Sequence, residues 1–189
     1  MIEVLVSLVI ICIGVLGMVA LQTRSVALSQ DSVQRSNAMV LANDLLELMR
    51  SNRDQVLASD KVKVDGTYIK QPGGAFRTEA LDAGKTCLTR DRSAGGETVA
   101  GQDLGCWLSQ VKALLPVTDA LIASSFAVCP AASIPKLPSS DISGNTTPLG
   151  ACEINARATL MVVIAWQDVS KDSLNCPNGT CYYALRSEL

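Results

Sequence analysis

The hydrophobic positions near the N-terminus form one unbroken run. From Val4 to Thr23, twenty consecutive residues carry no charge. A helix of that length spans ~30 Å, which is the thickness of the hydrocarbon core of a bilayer. A cleaved secretory signal would instead have a basic n-region, a small-residue cleavage site and an apolar core of only ~7 to 15 residues. The pattern therefore predicts that residues 1–23 are the membrane-spanning half of a longer helix.

Beyond this run the pattern becomes amphipathic but stays helical. Residues 24–54 contain neither Pro nor Gly, and apolar positions recur at helical spacing on one face while polar residues occupy the opposite face. These apolar positions are Leu41, Leu45, Leu48 and Met49. We expect residues 24–54 to pack this face against a head domain formed by residues 55–189. The whole helix would have roughly 50 residues and be ~75 Å long.

The remaining pattern predicts a mixed head. Residues 61–101 are polar and Gly-rich, which indicates an irregular connection with room for one hairpin. A helical apolar face that ends at Pro116 predicts a short helix at residues 103–115. Apolar and β-branched runs predict strands at about residues 120–128, 156–166 and 181–188, with a Pro/Ser/Gly-rich loop at 130–150 and an Asn-Gly turn before the last strand. The expected class is α+β, a long helix packed on a small antiparallel β-sheet head.

Six cysteines follow the apolar run, and their even number in a small domain indicates three disulfides formed in an oxidising compartment. Fifteen pairings are possible. A hairpin would close Cys176 on Cys181, antiparallel strands would bring Cys129 to Cys152, and Cys87 would remain for Cys106. Zinc is disfavoured, since no Cys-x-x-Cys pair and no His occur. Cys12 is interpreted as a small apolar residue of the membrane half.

Composition argues against catalysis and nucleic-acid binding. The absence of His removes the commonest general base and metal ligand, and a formal charge of -2 without a basic stripe disfavours phosphate binding. Ser109 and Lys112 match a Ser-x-x-Lys pattern, as do Ser133 and Lys136, and they support the alternative of a signal-anchored periplasmic enzyme. The accompanying Ser-Asp-Asn and Lys-Thr-Gly elements are missing. We predict no catalytic residue, no metal site and no cofactor.

The residues around the start of the run, Met1-Ile2-Glu3-Val4-Leu5-Val6-Ser7-Leu8, resemble the start of mature type IV pilins and type II secretion pseudopilins. The resemblance implies that Glu3 pairs with the N-terminal amine of a neighbouring subunit and sets the register of assembly. It also implies that a basic leader, a Gly at which a prepilin peptidase cleaves, and the first mature residues precede Met1. The side chains expected to pack in the membrane and the filament are Val4, Leu5, Leu8, Ile11, Leu16 and Leu21.

Taken without the resemblance, Glu3 has a simpler interpretation. A carboxylate at a helix N-terminus among lipid headgroups is favoured by the helix dipole. A plain single-span scaffold unrelated to pili would use Glu3 in this way and would leave it without a partner in a neighbouring subunit.

The order of elements in the rest of the chain is similar to that of minor pilins of the PilV type. A long helix, a variable connection, a short helix with Trp107 and strands ending near Trp166-Gln167-Asp168 carry this second resemblance. It implies a structural subunit that primes or caps type IV pili for adhesion and twitching motility. The subunit would span the inner membrane once, with its head in the periplasm, before it enters the pilus at the cell surface.

The same resemblance implies the partners. They are other minor pilins, the major pilin, the inner-membrane assembly platform, the prepilin peptidase and, as a further partner, a pilus-tip adhesin. A minor pseudopilin of a type II secretion system is the alternative, because it shares the long helix and Glu3.

Overall fold

The computed structural model describes residues 2–59, 61–130, 150, 152, 159–168, 176 and 179–188. The chain divides into two compact units, Met1–Gln34 and Arg35–Leu189. Helix α1 (Ile2–Ser51) supplies the first unit and continues into the second. It has 50 residues, with Glu3 in its first turn and Arg50 in its last. The helix dipole favours a negative charge at the N-terminus and a positive charge at the C-terminus, so both side chains are favourably placed.

The two parts of α1 differ in burial. Among the described residues of the first unit, the large apolar side chains are exposed. In the second unit, one face of α1 is buried in the head. Its buried residues are Ala38, Leu41, Ala42, Leu45, Leu46 and Met49. Leu48 is partly buried against the same core. α1 is also long and apolar enough, by length and composition, to cross a membrane.

A short 3₁₀ helix (Arg53–Gln55) follows α1 and leads into a two-stranded hairpin. The hairpin consists of β1 (Leu57–Ala58) and β2 (Lys61–Val62), which pair antiparallel. The sequence predicted a hairpin within residues 61–101, whereas the observed hairpin lies at residues 57–62, at the very start of that connection.

The second helix, α2 (Gly96–Leu114), begins earlier than the sequence predicted. Residues 96–101 had been assigned to the irregular connection, and the helix had been expected to start at residue 103. The backbone N–H of Gly96 donates to Oδ1 of Asn52 at 3.1 Å, and Nδ2 of Asn52 donates to the carbonyl of Gly96 at 2.9 Å. The capping residue Asn52 follows the end of α1 and is 44 residues from Gly96 in sequence. The Gly-rich sequence around residue 96 therefore does not indicate that a helix begins there.

The strand predicted at residues 120–128 is wrong over most of its length. Residues Asp119–Ser125 form helix α3, and strand β3 covers Ala127–Pro130. The Thr118 side chain accepts a hydrogen bond from the N–H of Leu121 at 3.2 Å, which makes Thr118 an N-cap. At the other end, Nζ of Lys70 donates to the carbonyls of Ala123 and Phe126. These two caps favour a helical turn in an apolar segment whose composition also suits a strand.

Strands β3, β4 (Thr159–Gln167) and β5 (Thr180–Glu188) form one antiparallel sheet in the order β3-β4-β5. β4 is the central strand and is buried from Thr159 to Trp166. The predicted start of this strand at residues 156–158, most of the 130–150 loop, and Pro177 and Asn178 of the predicted turn lie outside the described residues. The N–H of Gly179 donates to the carbonyl of Cys176 at 3.1 Å, so a turn does precede β5.

The head core lies between α1, α2 and the sheet. Trp107 of α2 is 1% exposed, and its indole N–H donates to the carbonyl of Leu41 at 2.8 Å. Its ring also makes edge contacts with Phe76 and Phe126, with centroid distances of 5.6 Å and 6.3 Å. The Trp107 side chain thus joins α1, α2, the connection at Phe76 and the residue that follows α3.

Candidate assembly surface and the head

The candidate assembly surface is the apolar part of α1 that belongs to the first unit. The six side chains expected to pack in membrane and filament are each at least 60% exposed. They are Val4, Leu5, Leu8, Ile11, Leu16 and Leu21. Contiguous exposed apolar surface of this kind marks a membrane or protein contact.

Polar groups within this part of α1 are satisfied by the helix itself. The Ser7 hydroxyl donates to the carbonyl of Val4 at 2.9 Å, and the Thr23 hydroxyl donates to the carbonyl of Val19 at 2.9 Å. Such internal bonds remove the cost of placing hydroxyl groups in an apolar medium. Glu3 is different, because its exposed carboxylate in the first turn of α1 carries a charge into the apolar end of the helix.

Three disulfides stabilise the head. They are Cys87–Cys106, Cys129–Cys152 and Cys176–Cys181, the same pairs that the sequence suggested. The first ties the 61–101 connection to α2, and the second joins β3 to the residues that precede β4. The third closes the start of β5, where Cys181 lies opposite Trp166 of β4. Each closure stabilises a small domain by ~2–4 kcal/mol.

A buried carboxylate also holds the connection on α2. Asp103 is fully buried and accepts hydrogen bonds from Arg90, from Arg92 and from the Tyr68 hydroxyl, the shortest to each being 2.9 Å. Burial raises the pKa of Tyr68, and the nearby charge of Asp103 raises it further. Sequence reasoning took Asp103 only as a helix start. Its spacing, four residues before the apolar Trp107 on one helical face, is the signal that could have revealed a buried acid.

A second buried charge, Lys70, fastens α3 to the sheet. Its ammonium donates to the carbonyls of Ala123 at 2.9 Å and Phe126 at 2.6 Å, and its backbone pairs with Val128 of β3. Lys70 is 2% exposed, and burial lowers its pKa to about 8. The polar sequence around it gave no sign that it is buried.

The proposed Ser-x-x-Lys pair does not form a catalytic arrangement on α2. The Ser109 hydroxyl donates to the carbonyl of Gly105 at 3.0 Å, and Nζ of Lys112 pairs with Asp119 at 2.6 Å. Each group therefore has its own separate partner on an exposed surface. The second match, Ser133 to Lys136, lies outside the described residues.

A protein-family model described as Tt1218-like, type IV pilin Tt1218, matches residues 20–73. The matched segment comprises the second half of α1, the hairpin and the beginning of the connection. No curated protein and no solved structure shows significant similarity to the chain. The match covers less than a third of the chain, and together with the long apolar helix on an α+β head it supports a similarity to the type IV pilin superfamily.

This similarity indicates a class of function. Type IV pilins are structural, non-enzymatic subunits that interact with other pilins during pilus assembly. The long apolar part of α1 is consistent with anchoring in a membrane. The match to this family supports a pilin-type structural subunit.

Proposed function

We propose that this chain is a minor pilin that primes or caps the assembly of type IV pili used in adhesion and twitching motility. Before assembly, residues 1–23 of α1 span the inner membrane and the head lies in the periplasm. The assembly platform then transfers the subunit into a pilus at the cell surface. The observation that carries the proposal is the placement of Glu3 immediately before an exposed apolar helix surface.

Glu3 gives this surface a register. Apolar side chains can slide along a neighbouring helix, because each offers similar contacts at many positions. A single carboxylate cannot, since it must meet a positive group when the surrounding medium is apolar. We propose that this group is the N-terminal amine of the adjacent pilin, after processing by the prepilin peptidase.

The head supports the minor role. The Cys87–Cys106 disulfide and the Asp103 cluster hold the 61–101 connection on the head, which suits a subunit that presents fixed surfaces to specific neighbours. We propose other minor pilins, the major pilin and a pilus-tip adhesin as these neighbours. The long helix and Glu3 also suit a minor pseudopilin of a type II secretion system, whose head usually has fewer disulfides.

The decisive experiment is Glu3→Ala in cells that assemble pili. The substitution leaves the neighbour's amine buried without a partner, which costs ~3–5 kcal/mol and corresponds to at least ~100-fold weaker incorporation. The amount of protein in sheared pili, measured by immunoblot relative to the membrane fraction, reports the effect.

Glu47→Ala is the matched control. Glu47 is an exposed acidic residue on the part of α1 in the head, where it pairs with Arg50. We expect this variant to enter pili at the normal level and both variants to accumulate equally in the membrane. Normal incorporation of the Glu3→Ala variant would refute the proposed role of Glu3.

A further inference from the structure

Strand β5 forms one edge of the head sheet. Its nine residues pair with β4 in one register, from Thr180 opposite Gln167 to Glu188 opposite Thr159. Within the part of the chain that the structure describes, no backbone hydrogen bond joins β5 to another segment on the side away from β4. A strand edge exposes alternate N–H and C=O groups, so this side has the hydrogen-bonding pattern that another strand requires.

The opposite edge of the same sheet is covered. On β3, the N–H of Val128 donates to the carbonyl of Lys70 at 2.9 Å, and the N–H of Lys70 donates back to the carbonyl of Val128 at 2.9 Å. At this position Lys70 lies where a residue of an additional strand would pair with β3. Among the described residues, no such backbone pair lies on the outer side of β5.

β5 lacks the usual protections of an exposed edge. Its sequence, TCYYALRSE, contains neither Pro nor Lys, and the unbroken register with β4 excludes a bulge. Tyr182, Tyr183 and Leu185 remain partly exposed. The only charges are Arg186 and Glu188, of opposite sign and both exposed near the end of the strand. An extended strand of this kind is well suited to pair with a further strand.

We propose that the outer edge of β5 accepts an extended segment of a partner protein as an additional antiparallel strand. The partner segment places an acidic side chain opposite Arg186 and a basic side chain opposite Glu188, because opposite charges stabilise directly opposed positions. Antiparallel pairing continues the pattern of the whole sheet and is slightly more stable per residue than parallel pairing.

A second copy of this chain fits the edge less well. Antiparallel pairing of β5 with itself over its whole length, about Ala184, would place Arg186 opposite Tyr182 and Glu188 opposite Thr180, so that neither charge meets its opposite. Pairing about Ser187 would place Arg186 opposite Glu188 but would use only the last residues of the strand. Such a pairing is also isologous and closes after two copies, whereas subunits of a filament repeat head to tail. This second argument rests on the pilin assignment, and the first does not.

Photo-cross-linking of the full-length chain in cells tests the proposal. Tyr183 and Leu185, two apart on the same face of β5, are replaced in turn by p-benzoylphenylalanine. We expect both probes to label one segment of one partner, with the labelled residue shifting towards the partner's N-terminus as the probe moves from position 183 to position 185. The control probe replaces Val64, which is 40% exposed in the connection, and we expect it not to label that segment.

A separate variant tests whether an acidic side chain of the partner lies opposite Arg186. Arg186→Glu places like charges opposite one another, and we expect it to lower the cross-link yield from position 183 at least ~5-fold. Arg53→Glu reverses an exposed charge outside the sheet and should leave the yield unchanged. An unchanged yield in Arg186→Glu would overturn the assignment of an acidic residue to the partner.

Two other results would overturn strand addition itself. One is labelling confined to a second copy of this chain, or absent from β5 in cells whose pili contain the protein. The other is slow hydrogen exchange at every β5 amide of the isolated full-length chain, since a covered edge leaves no fast amides. Normal incorporation of the Glu3→Ala variant into pili, together with unchanged β5 cross-links, would instead refute the proposed role of Glu3. It would not contradict strand addition at β5.

Discussion

The two parts of α1 use the same residue types in the same backbone conformation with opposite results. In the first unit, Leu5 and Leu16 are 66% and 70% exposed. In the second unit, Leu41 and Leu45 are 0% exposed. Helix formation is therefore common to both parts, whereas among the described residues the apolar side chains of the first part are exposed and one face of the second part is buried in the head. An apolar helix surface can therefore be buried by other parts of its own chain, or it can require a membrane or another molecule to bury it.

The free energy of burying these side chains is consistent with an apolar medium, rather than water, around the first part of α1. Burying one Leu, Ile or Val side chain is worth ~1.5–3 kcal/mol, so the six exposed side chains of the assembly surface represent on the order of 10 kcal/mol. That is comparable to the whole net stability of a typical domain, ~5–15 kcal/mol. A bilayer before assembly and neighbouring helices afterwards would both supply this energy.

Truncating one leucine in each part is the strongest way to break the comparison. Leu45→Ala removes a fully buried side chain, and we expect it to destabilise the head by ~2–5 kcal/mol. Leu16→Ala removes the same atoms from an exposed position, and we expect no change in head unfolding. Fluorescence of the two Trp residues, which are both buried in the head, follows unfolding of the detergent-solubilised chain.

A pilus assay completes the contrast between the leucines. Leu16→Ala should lower the recovery of the protein in pili although its head is as stable as that of the wild type. Equal loss of head stability in the two variants would show that the first part of α1 also packs on the head, contrary to the comparison.

Substitutions at two glycines of α2 test how closely the connection packs against this helix in the head. A Cβ at Gly101 would lie 2.5 Å from Cγ and 2.9 Å from the backbone N of Glu79, so the connection must shift to admit it. We expect Gly101→Ala to cost ~1–3 kcal/mol, measured by thermal unfolding.

The matched control for this prediction is Gly105→Ala, one turn along the same helix. A Cβ at Gly105 would meet its nearest neighbour, the carbonyl of Glu79, at an ordinary 3.6 Å. We expect this variant to be at least as stable as the wild type, because Ala favours a helix over Gly by ~1 kcal/mol. If the two variants were equally stable, the connection would not be held tightly on α2.

The smallest expected effect concerns pH and the buried charge of Lys70. Burial lowers the pKa of Lys70 from 10.5 to about 8, so between these values the unfolded chain binds more protons than the folded head. The free energy of unfolding should therefore rise as the pH increases from about 8. The measurement stays below pH 10, because the raised pKa of Tyr68 has the opposite effect above its ordinary value of 10.0.

Lys70→Met provides the comparison for the pH effect. It removes the titrating group while keeping a long unbranched side chain, so the rise in unfolding free energy above pH 8 should flatten. Identical pH profiles for the variant and the wild type would show that Lys70 is not the source of the dependence.

Features that depend on local pattern could be predicted from the amino-acid sequence alone. The uninterrupted helical pattern of α1 predicted a helix of about the observed length, and apolar runs located β4 and β5 to within a few residues. Two disulfide pairs followed from strand order and a turn signal, and Cys87–Cys106 followed by elimination. Glu3 was noticed because a charge beside a long apolar run is rare.

Other features depend on contacts between residues that are far apart in the chain, so they emerge only when the head folds. α2 begins at Gly96 because Asn52 caps it, and α3 ends under the ammonium of Lys70, so neither could be derived from a local window. Asp103 is buried because Arg90 and Arg92 reach it from the connection. In each case a polar group is stabilised by a hydrogen-bond partner that approaches it only when the head folds. The secondary-structure propensities of the neighbouring residues cannot predict that partner.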